Sequence, residues 1–205
     1  LQVCLQRNVP WNIIINELGD PDYIVYTLKH DSVHAPLQES ISHDGKHLFI
    51  GKRKILTVHE TDPLKLPWKK ENIDLVVDCT GFFTDKEGAE KHLKAGAKKV
   101  LISAPARGHD CTLIPGVNSN SLKKEYKILS AGSCTTNCTS PMIKILHEAY
   151  NLKSAFFVTT HAYTSTQHLI DGHDKHDLLR GRAAAHNIVP TTSGAAIAVV
   201  ESLPE

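Results

Sequence analysis

The sequence predicts an α/β fold that begins as a doubly wound parallel sheet and continues into the start of a mixed α+β domain. Short apolar segments rich in β-branched residues alternate along the chain with polar, helix-forming segments. Strands separated by helices are joined by crossover connections, which place neighbouring strands parallel. Small, hydroxyl-bearing or charged residues follow several of these strands, as a ligand crevice at the carboxyl ends of such a sheet requires.

Each predicted strand is a short apolar run bounded by turn residues. In chain order the strands are residues 11–17, a hairpin over 47–58 with Gly51 near its turn, 74–81, 98–105, 126–130 and 156–164. The predicted helices are residues 22–30, 86–95 and 142–150, and Leu1 to Pro10 resembles the end of another. Gly96 follows the second of these helices and is typical of a C-terminal cap. The candidate crevice residues at the strand ends are Glu17, Thr80, Ser103 and Ser133, although each taken singly is better explained as part of an ordinary turn.

The composition excludes several classes of protein. Of the 205 residues, 41% are hydrophobic and 22% are charged, which is inconsistent with disordered, collagen-like and coiled-coil chains. A net charge of +1 is not the excess of positive charge that is typical of proteins that bind nucleic acid or a membrane surface. No apolar run approaches the ~18 residues needed to span a bilayer, and no signal peptide is recognisable. The five cysteines are scattered and odd in number, which favours a reduced, cytoplasmic location over a disulfide framework.

The most informative segment for chemistry is residues 130–141, which joins a strand to an apolar helix. It places Cys134 at the N-terminus of that helix, where the helix dipole and unpaired N–H groups stabilise a thiolate. A cysteine in that position can act as a nucleophile near neutral pH. The hydroxyls of Ser133 and Thr135 could cap the helix or bind an anion. The segment fits a buried structural cysteine beside ordinary capping residues equally well.

A histidine, His161, lies near the end of the predicted strand 156–164. If the fold brings it beside Cys134, its imidazole could remove the thiol proton and later act as an acid or a base. Most histidines at strand ends have no catalytic role, so this residue by itself does not establish a catalytic pair.

Four segments of the second half resemble, in order and spacing, the signatures of the glyceraldehyde-3-phosphate dehydrogenase family. They read S-C-T-T-N-C at 133–138, T-H-A-Y-T-S-T-Q at 160–167, R-G-R-A-A-A at 180–185 and P-T-T-S-G-A-A at 190–196. Earlier segments agree, among them I-N-E-L at 15–18, D-C-T-G at 78–81 and I-S-A-P at 102–105. The resemblance covers nearly the whole chain, and its cysteine signature is highly specific.

The resemblance implies an enzyme that couples aldehyde oxidation by NAD to formation of an acyl phosphate. The implied substrates are glyceraldehyde 3-phosphate and inorganic phosphate. Cys134 would attack the aldehyde carbon to form a thiohemiacetal, and loss of a hydride to NAD would leave a thioester that phosphate cleaves. His161 matches the family base, which lowers the pKa of the thiol and hydrogen-bonds the developing oxyanion.

The same resemblance assigns two phosphate sites. Residues for the attacking phosphate are Ser133, Thr135, Ser193 and Gly194, with serine at position 193 where the family usually has threonine. Residues for the substrate phosphate are Thr164 and Arg180, because a guanidinium suits bidentate phosphate contact. Arg182 could share that task, since the loop register is open by a residue or two, and a solvated loop is the other interpretation of these arginines.

The first part of the chain resembles a Rossmann-type NAD-binding domain. Glu17 would hydrogen-bond the adenosine ribose and repel a 2′-phosphate, which favours NAD over NADP. Ser103 matches a position on the nicotinamide side. Two departures weaken the cofactor assignment: Thr61 replaces an arginine common near the adenine, and His173 replaces a proline in a loop that approaches a neighbouring subunit's cofactor.

The resemblance predicts an NAD-binding domain over residues 1–133 and a catalytic domain over residues 134–205. A glycine-rich phosphate cradle is expected before Leu1 and further ligands after Glu205, so this stretch alone is expected to turn over little substrate. A homotetramer is implied by the family. The alternatives are erythrose-4-phosphate dehydrogenase, which Thr164 disfavours, and a non-catalytic protein derived from the enzyme fold, which retention of Cys134 and His161 disfavours.

No metal site is predicted. Two histidine pairs with acidic neighbours, at residues 43–47 and 173–176, lie in polar, turn-like stretches that include lysine. These stretches are better interpreted as solvated loops.

Overall fold

The computed structural model describes residues 1–34, 36–175 and 177–203. Its contacts divide the chain into two units. The first unit consists of Leu1–Val76 and Glu87–Val100, and the second consists of Val77–Lys86 and Leu101–Glu205.

The first unit contains a mixed sheet covered by two helices. Its elements in chain order are α1 (Gln2–Gln6), β1 (Ile14–Asn16), α2 (Pro21–Lys29), β2 (Ile41–His43), β3 (His47–Ile50) and β4 (Arg53–Val58). The strand order is β1-β4-β3-β2, with β1 parallel to β4 and the other pairs antiparallel. Short connections join β2, β3 and β4, and short connections between adjacent strands produce antiparallel pairing.

The ends of α2 follow directly from the local sequence. Asp20 caps the helix, because its side chain accepts a hydrogen bond from the Asp22 N–H at 2.8 Å, and Pro21 occupies the first turn. The apolar core beneath the helices consists of Leu5, Ile41, Leu48, Ile50 and Ile55. Burial of these side chains against the sheet holds the unit together.

A second core cluster of the first unit surrounds Trp68, whose indole N–H donates to Nδ1 of the buried His92 at 3.1 Å. His92 belongs to α3 (Lys86–Lys94). Gly96 follows this helix with a φ of +112°, and a side chain there would overlap Lys69, so the position requires glycine. The predicted helix cap at Gly96 is therefore confirmed.

The second sheet is parallel and has the order β5-β6-β8-β7. Its strands are β5 (Leu75–Asp78), β6 (Lys99–Ile102), β7 (Cys111–Thr112) and β8 (Ile128–Ser130). β8 leads into the long helix α4 (Cys134–Tyr150), which packs against the last helix, α5 (Ala195–Ser202). The buried residues Ile102, Ile114, Ile128 and Leu129 are the main apolar side chains of this layer.

The predicted α/β class is confirmed, with two differences of detail. The strands form two four-stranded sheets, one mixed and one parallel. The predicted strand over 156–164 is wrong, because this segment has no regular secondary structure and no pairing partner among the described residues. Phe156 and Val158 are 91% and 83% exposed there, so neither backbone pairing nor burial stabilises a strand. No helix in the described part of the chain is long and apolar enough to cross a membrane.

Candidate active site

The turn between β8 and α4 is held by a buried hydroxyl. The Ser130 Oγ donates to the Ala104 carbonyl at 2.7 Å and accepts the Gly132 N–H at 3.0 Å. Gly132 has a φ of +68°, and a Cβ there would lie 3.1 Å from Ile114 and 3.2 Å from Thr136. The chain can therefore turn sharply into α4 only with glycine at this position.

Two side chains then fix the first turn of α4. Ser133 is the N-cap, and its Oγ accepts the Thr136 N–H at 3.0 Å. The Asn137 side-chain amide donates to the carbonyls of Ala131 at 2.7 Å and of Ser133 at 2.9 Å. The loop before the helix is thus bound to the helix that follows it, and Cys134 becomes the first helical residue.

Cys134 and His161 are in direct contact. The Cys134 Sγ lies 3.1 Å from His161 Nε2, and His161 Nδ1 lies 2.7 Å from the Ala162 carbonyl oxygen. Because a carbonyl only accepts hydrogen bonds, Nδ1 must carry a proton, which leaves Nε2 to exchange a proton with sulfur. The prediction that the fold brings this cysteine and this histidine together is confirmed geometrically.

The local electrostatics favour charge separation within this pair. The hydrogen bond with His161 lowers the pKa of the Cys134 thiol, and the Thr135 N–H lowers it further. The hydrogen bond from Nδ1 to the Ala162 carbonyl raises the pKa of His161, and the contact with Cys134 adds to this increase. Both directions stabilise a thiolate beside an imidazolium, which is the reactive form of a cysteine nucleophile. Cys134 is exposed, so a substrate can reach it.

The candidate residues for the attacking phosphate lie at two helix N-termini. Ser133 and Thr135 flank Cys134 at the start of α4, and both are half-buried. Ser193 and Gly194 precede α5, where Gly194 is the N-cap and the Ser193 Oγ accepts the Ala195 N–H at 3.2 Å. Helix N-termini attract anions through their unpaired N–H groups.

The candidate residues for the substrate phosphate are less closely held. Arg180 lies in the short 3-10 helix Leu178–Gly181; its Nη2 donates to Thr191 Oγ1 at 2.8 Å and its Nε lies 3.4 Å from the Asp177 carboxylate. The Thr164 hydroxyl instead contacts the Thr166 hydroxyl at 3.0 Å. The structure therefore does not bring Thr164 and Arg180 into direct contact.

Arg182, which could share the task of Arg180, has its own acidic partner. Its Nη1 lies 3.1 Å from the Asp171 carboxylate, and the same aspartate accepts the Ala183 N–H at 2.9 Å. Asp171 therefore joins the start of the loop over residues 171–183 to its end. Arg180 contacts Thr191, two residues before Ser193, so it is the arginine linked to the segment that enters α5.

The two candidate cofactor residues, Glu17 and Ser103, lie in different units. Glu17 follows β1 and is exposed; its Oε1 accepts the Gly19 N–H at 3.0 Å and its carbonyl contacts His59 Nδ1 at 2.6 Å. Ser103 follows β6, and its N–H donates to the Asp78 carbonyl at 2.9 Å. An exposed carboxylate just beyond a parallel strand has the acceptor chemistry that a ribose diol requires, so Glu17 fits NAD.

Sequence reasoning missed the residues that hold these candidates in place. Ser130 and Asn137 fix the Cys134 turn. Asn16 and Glu60 exchange two hydrogen bonds of 3.0 Å, which fix the end of β1 before Glu17. Asn137 stands inside the cysteine signature, where its amide could have been recognised as a donor to the preceding loop. No local signal indicates the long-range pair of Asn16 and Glu60.

The histidine pairs do not form a metal centre in the described part of the chain, which contains no group of three metal-ligating side chains. His43 contacts Asp22 at 2.9 Å and His47 contacts Asp44 at 3.1 Å, and all four lie at the surface of the first unit. His176, of the second pair, lies outside the described residues.

Comparison with known proteins identifies relatives of both parts of the chain. The family model for the glyceraldehyde 3-phosphate dehydrogenase NAD binding domain matches residues 1–86, and the model for the C-terminal domain of the same enzyme matches residues 133–205. The glyceraldehyde-3-phosphate dehydrogenase of Thermotoga maritima is 46% identical over 187 residues, which are 91% of this chain and 56% of that protein.

Two further relatives extend this finding. Glyceraldehyde-3-phosphate dehydrogenase of Geobacillus stearothermophilus is 44% identical over 194 residues, which are 94% of this chain and 58% of that protein. Glyceraldehyde-3-phosphate dehydrogenase 2 of Saccharomyces cerevisiae is 40% identical over 209 residues, which cover 100% of this chain and 62% of that protein. The chain therefore spans about three-fifths of the length of these relatives.

Proposed function

Because this chain belongs to the glyceraldehyde-3-phosphate dehydrogenase family, we propose that it carries out the NAD-dependent, phosphorylating oxidation of glyceraldehyde 3-phosphate in glycolysis and gluconeogenesis. The observation that carries this proposal is the 3.1 Å contact between Cys134 Sγ and His161 Nε2 at the N-terminus of α4. A thiol, a base and a helix N-terminus at one point are the parts that acyl transfer from an aldehyde requires.

The reaction begins with the Cys134 thiolate. Its sulfur forms a bond to the aldehyde carbon, and the carbonyl electrons move onto oxygen to give a thiohemiacetal. The protonated Nε2 of His161 donates a hydrogen bond to this oxygen and then its proton. Since Nδ1–H is held by the Ala162 carbonyl at 2.7 Å, the imidazole does not have to reorient before it acts.

The oxidation step breaks the carbon–hydrogen bond of the thiohemiacetal. NAD, when bound, supplies the acceptor for the hydride that leaves this carbon. His161, now neutral, takes the proton from the oxygen as the carbonyl re-forms, so the product is a thioester of Cys134 beside an imidazolium.

Phosphate then cleaves the thioester. A phosphate oxygen bonds to the carbonyl carbon, the carbon–sulfur bond breaks, and the electron pair returns to the sulfur of Cys134. The protonated His161 stabilises the departing thiolate, and the acyl phosphate is released. Ser133 and Thr135 at α4, with Ser193 and Gly194 at α5, would bind the attacking anion.

The remaining assignments are part of the same proposal. Arg180 and Thr164 would bind the phosphate of the aldehyde, and Glu17 and Ser103 would bind NAD. A domain boundary between residues 133 and 134, a cytoplasmic location and a homotetramer are proposed from family membership.

The decisive experiment is NADH formation by the native protein, measured with glyceraldehyde 3-phosphate in the presence and absence of inorganic phosphate. We expect phosphate-dependent turnover that iodoacetamide abolishes. Erythrose 4-phosphate serves as the comparison substrate, and we expect it to be the poorer of the two. No turnover with either aldehyde would contradict the proposal, and faster turnover of erythrose 4-phosphate would replace it with the longer-sugar enzyme.

A further inference from the structure

Helix α5 is bound to two neighbouring elements by consecutive residues at its C-terminal end. The Thr112 hydroxyl, on β7, donates to Glu201 Oε2 at 3.1 Å. The Ser140 hydroxyl, on α4, lies 3.0 Å from the Ser202 hydroxyl, and Ser202 donates its own proton to the Val199 carbonyl at 2.9 Å. Ser140 must therefore be the donor to Ser202.

Three of these four groups are buried, whereas Glu201 is exposed. Ser140 and Ser202 are completely buried, and Thr112 is 5% exposed. Because the single Thr112 proton goes to Glu201, His109 Nε2 donates to the Thr112 oxygen at 2.7 Å. Loss of Glu201 or of Ser202 would therefore leave the buried hydroxyl of Thr112 or of Ser140 without its acceptor.

The geometry of the two bonds fixes α5 in rotation as well as in position. Consecutive residues of a helix point about 100° apart, so Glu201 and Ser202 reach different neighbours. The rest of the buried face consists of small side chains, Ala195, Ala198 and Val199. Small side chains interlock weakly, so packing alone sets the rotation of this helix poorly.

Both neighbours of α5 also position Cys134. Thr112 pairs in register with Ser130, whose hydroxyl holds the turn into α4. Ser140 lies on α4 itself, about 9 Å along the helix axis from Cys134, and Ser202 lies about 12 Å along α5 from Gly194. The contact between Ser140 and Ser202 therefore joins the two helices whose N-termini carry Cys134 and Gly194.

We infer that Thr112, Ser140, Glu201 and Ser202 are positioning residues that hold the N-terminus of α5, with Ser193 and Gly194, at the correct place for inorganic phosphate to reach Cys134. This inference rests on the proposed function, since it concerns the phosphate of the same reaction. A carboxylate in the last turn of a helix interacts unfavourably with the helix dipole. The hydrogen bond from the Thr112 hydroxyl gives Glu201 a specific role at this position.

The test uses the native protein and inorganic phosphate as the probe. Phosphate bound at the two helix N-termini should shield Cys134 from iodoacetamide, and tandem mass spectrometry locates the modified cysteine. The variants are Glu201→Ala and Ser202→Ala. We expect each to raise the phosphate concentration that gives half-protection by about fivefold, the change that loss of one hydrogen bond produces.

Two control variants separate positioning from general destabilisation. Glu201→Gln keeps an acceptor for the Thr112 hydroxyl. The phosphate concentration that gives half-protection should therefore lie within about twofold of the value for the unsubstituted protein. Val200→Ala changes a side chain of the same helix that is 68% exposed and should leave half-protection unchanged. In turnover assays the first two variants should raise KM for phosphate while KM for the aldehyde stays the same.

The outcomes distinguish this inference from the proposed function. Equal increases in both KM values, equal effects of Glu201→Gln and Glu201→Ala, or no phosphate protection in the unsubstituted protein would each overturn the inference, even with normal aldehyde oxidation. The protein could also oxidise neither aldehyde and still show the expected rise, in Glu201→Ala and Ser202→Ala, of the phosphate concentration that gives half-protection. That result would support the inference about phosphate and would overturn the proposed function alone.

Discussion

The turn that carries Cys134 and the loop that carries Arg180 are both proposed to act on a phosphorylated aldehyde, but they are built differently. The Cys134 turn is fixed from within, by Ser130 on one side and by the Ser133 cap and the Asn137 amide on the other. The Arg180 loop is exposed over most of its length, and its arginine is engaged by the Asp177 carboxylate and the Thr191 hydroxyl.

This difference indicates different roles for the Cys134 turn and the Arg180 loop. The Cys134 turn holds the proposed nucleophile in one position beside His161, which suits the making and breaking of bonds. The guanidinium of Arg180, whose Nε and Nη2 contact Asp177 and Thr191, has further N–H groups that could bind the proposed substrate phosphate, which suits binding. Substitutions in the turn should therefore act mainly on kcat, whereas substitutions in the loop should act mainly on KM.

The largest effect is expected from Cys134→Ser. A serine hydroxyl does not form an anion near neutral pH, so turnover should fall on the order of 10³-fold or more in NADH formation assays. Cys138→Ser is the matched control, because Cys138 is also exposed and lies one turn later on α4; it should keep turnover within about threefold. Appreciable turnover by Cys134→Ser would remove Cys134 from the chemistry.

His161→Asn should have the next largest effect, because it removes the base and its hydrogen bond to sulfur. Loss of general acid–base catalysis lowers kcat by about 10²-fold or more. Thiolate reactivity exists above the pKa of Cys134 and is lost as the pH falls through it. Since His161 lowers that pKa, its removal should move the loss of reactivity to higher pH.

The measurement for His161→Asn is the rate of alkylation of Cys134 by iodoacetamide as a function of pH. A midpoint displaced upward, towards the ordinary cysteine value of 9.0, is the expected result. An identical pH profile for the variant and the unsubstituted protein would mean that the 3.1 Å contact does not control the thiol.

Arg180→Lys tests the loop and should have an intermediate effect. Lysine keeps the charge but not the planar fork, so KM for glyceraldehyde 3-phosphate should rise about tenfold with little change in kcat. Glyceraldehyde without a phosphate should react equally well with both proteins. Arg182→Lys is the control, since Arg182 is paired with Asp171 at 3.1 Å; a larger effect there would reverse the assignment of the two arginines.

The smallest effect is expected on stability, from Ser133→Ala. Loss of the N-cap hydrogen bond to Thr136 should reduce the free energy of unfolding by about 1 kcal/mol, measured by urea denaturation. Ser193→Ala removes a longer hydrogen bond, of 3.2 Å, and should cost less. A greater loss for Ser193→Ala would show that the α5 N-terminus, rather than the Cys134 turn, is the more firmly built of the two.

Much of the fold and part of the site were predictable because their signals are local. The Asp20 cap and the glycines at positions 96 and 51 mark element ends through their own backbone and side-chain preferences. The strand over 156–164 was not predictable in this way, because a strand exists only where a neighbour pairs with it. An apolar run cannot indicate whether such a neighbour is present.

The amino-acid sequence by itself indicated that Cys134 lies at a helix N-terminus and that Ser133 is among the residues that could cap it, because helix capping depends on residues within one turn. It also determined the family, because ordered signatures over nearly the whole chain specify one ancestry. Only the tertiary structure decided that His161 lies 3.1 Å from the thiol, that Arg180 is engaged by Asp177 and Thr191, and that two hydroxyl contacts fix α5. The contacts of His161 with Cys134, of Arg180 with Thr191 and of Ser202 with Ser140 join residues 27, 11 and 62 positions apart, so they depend on how whole elements pack rather than on any local preference.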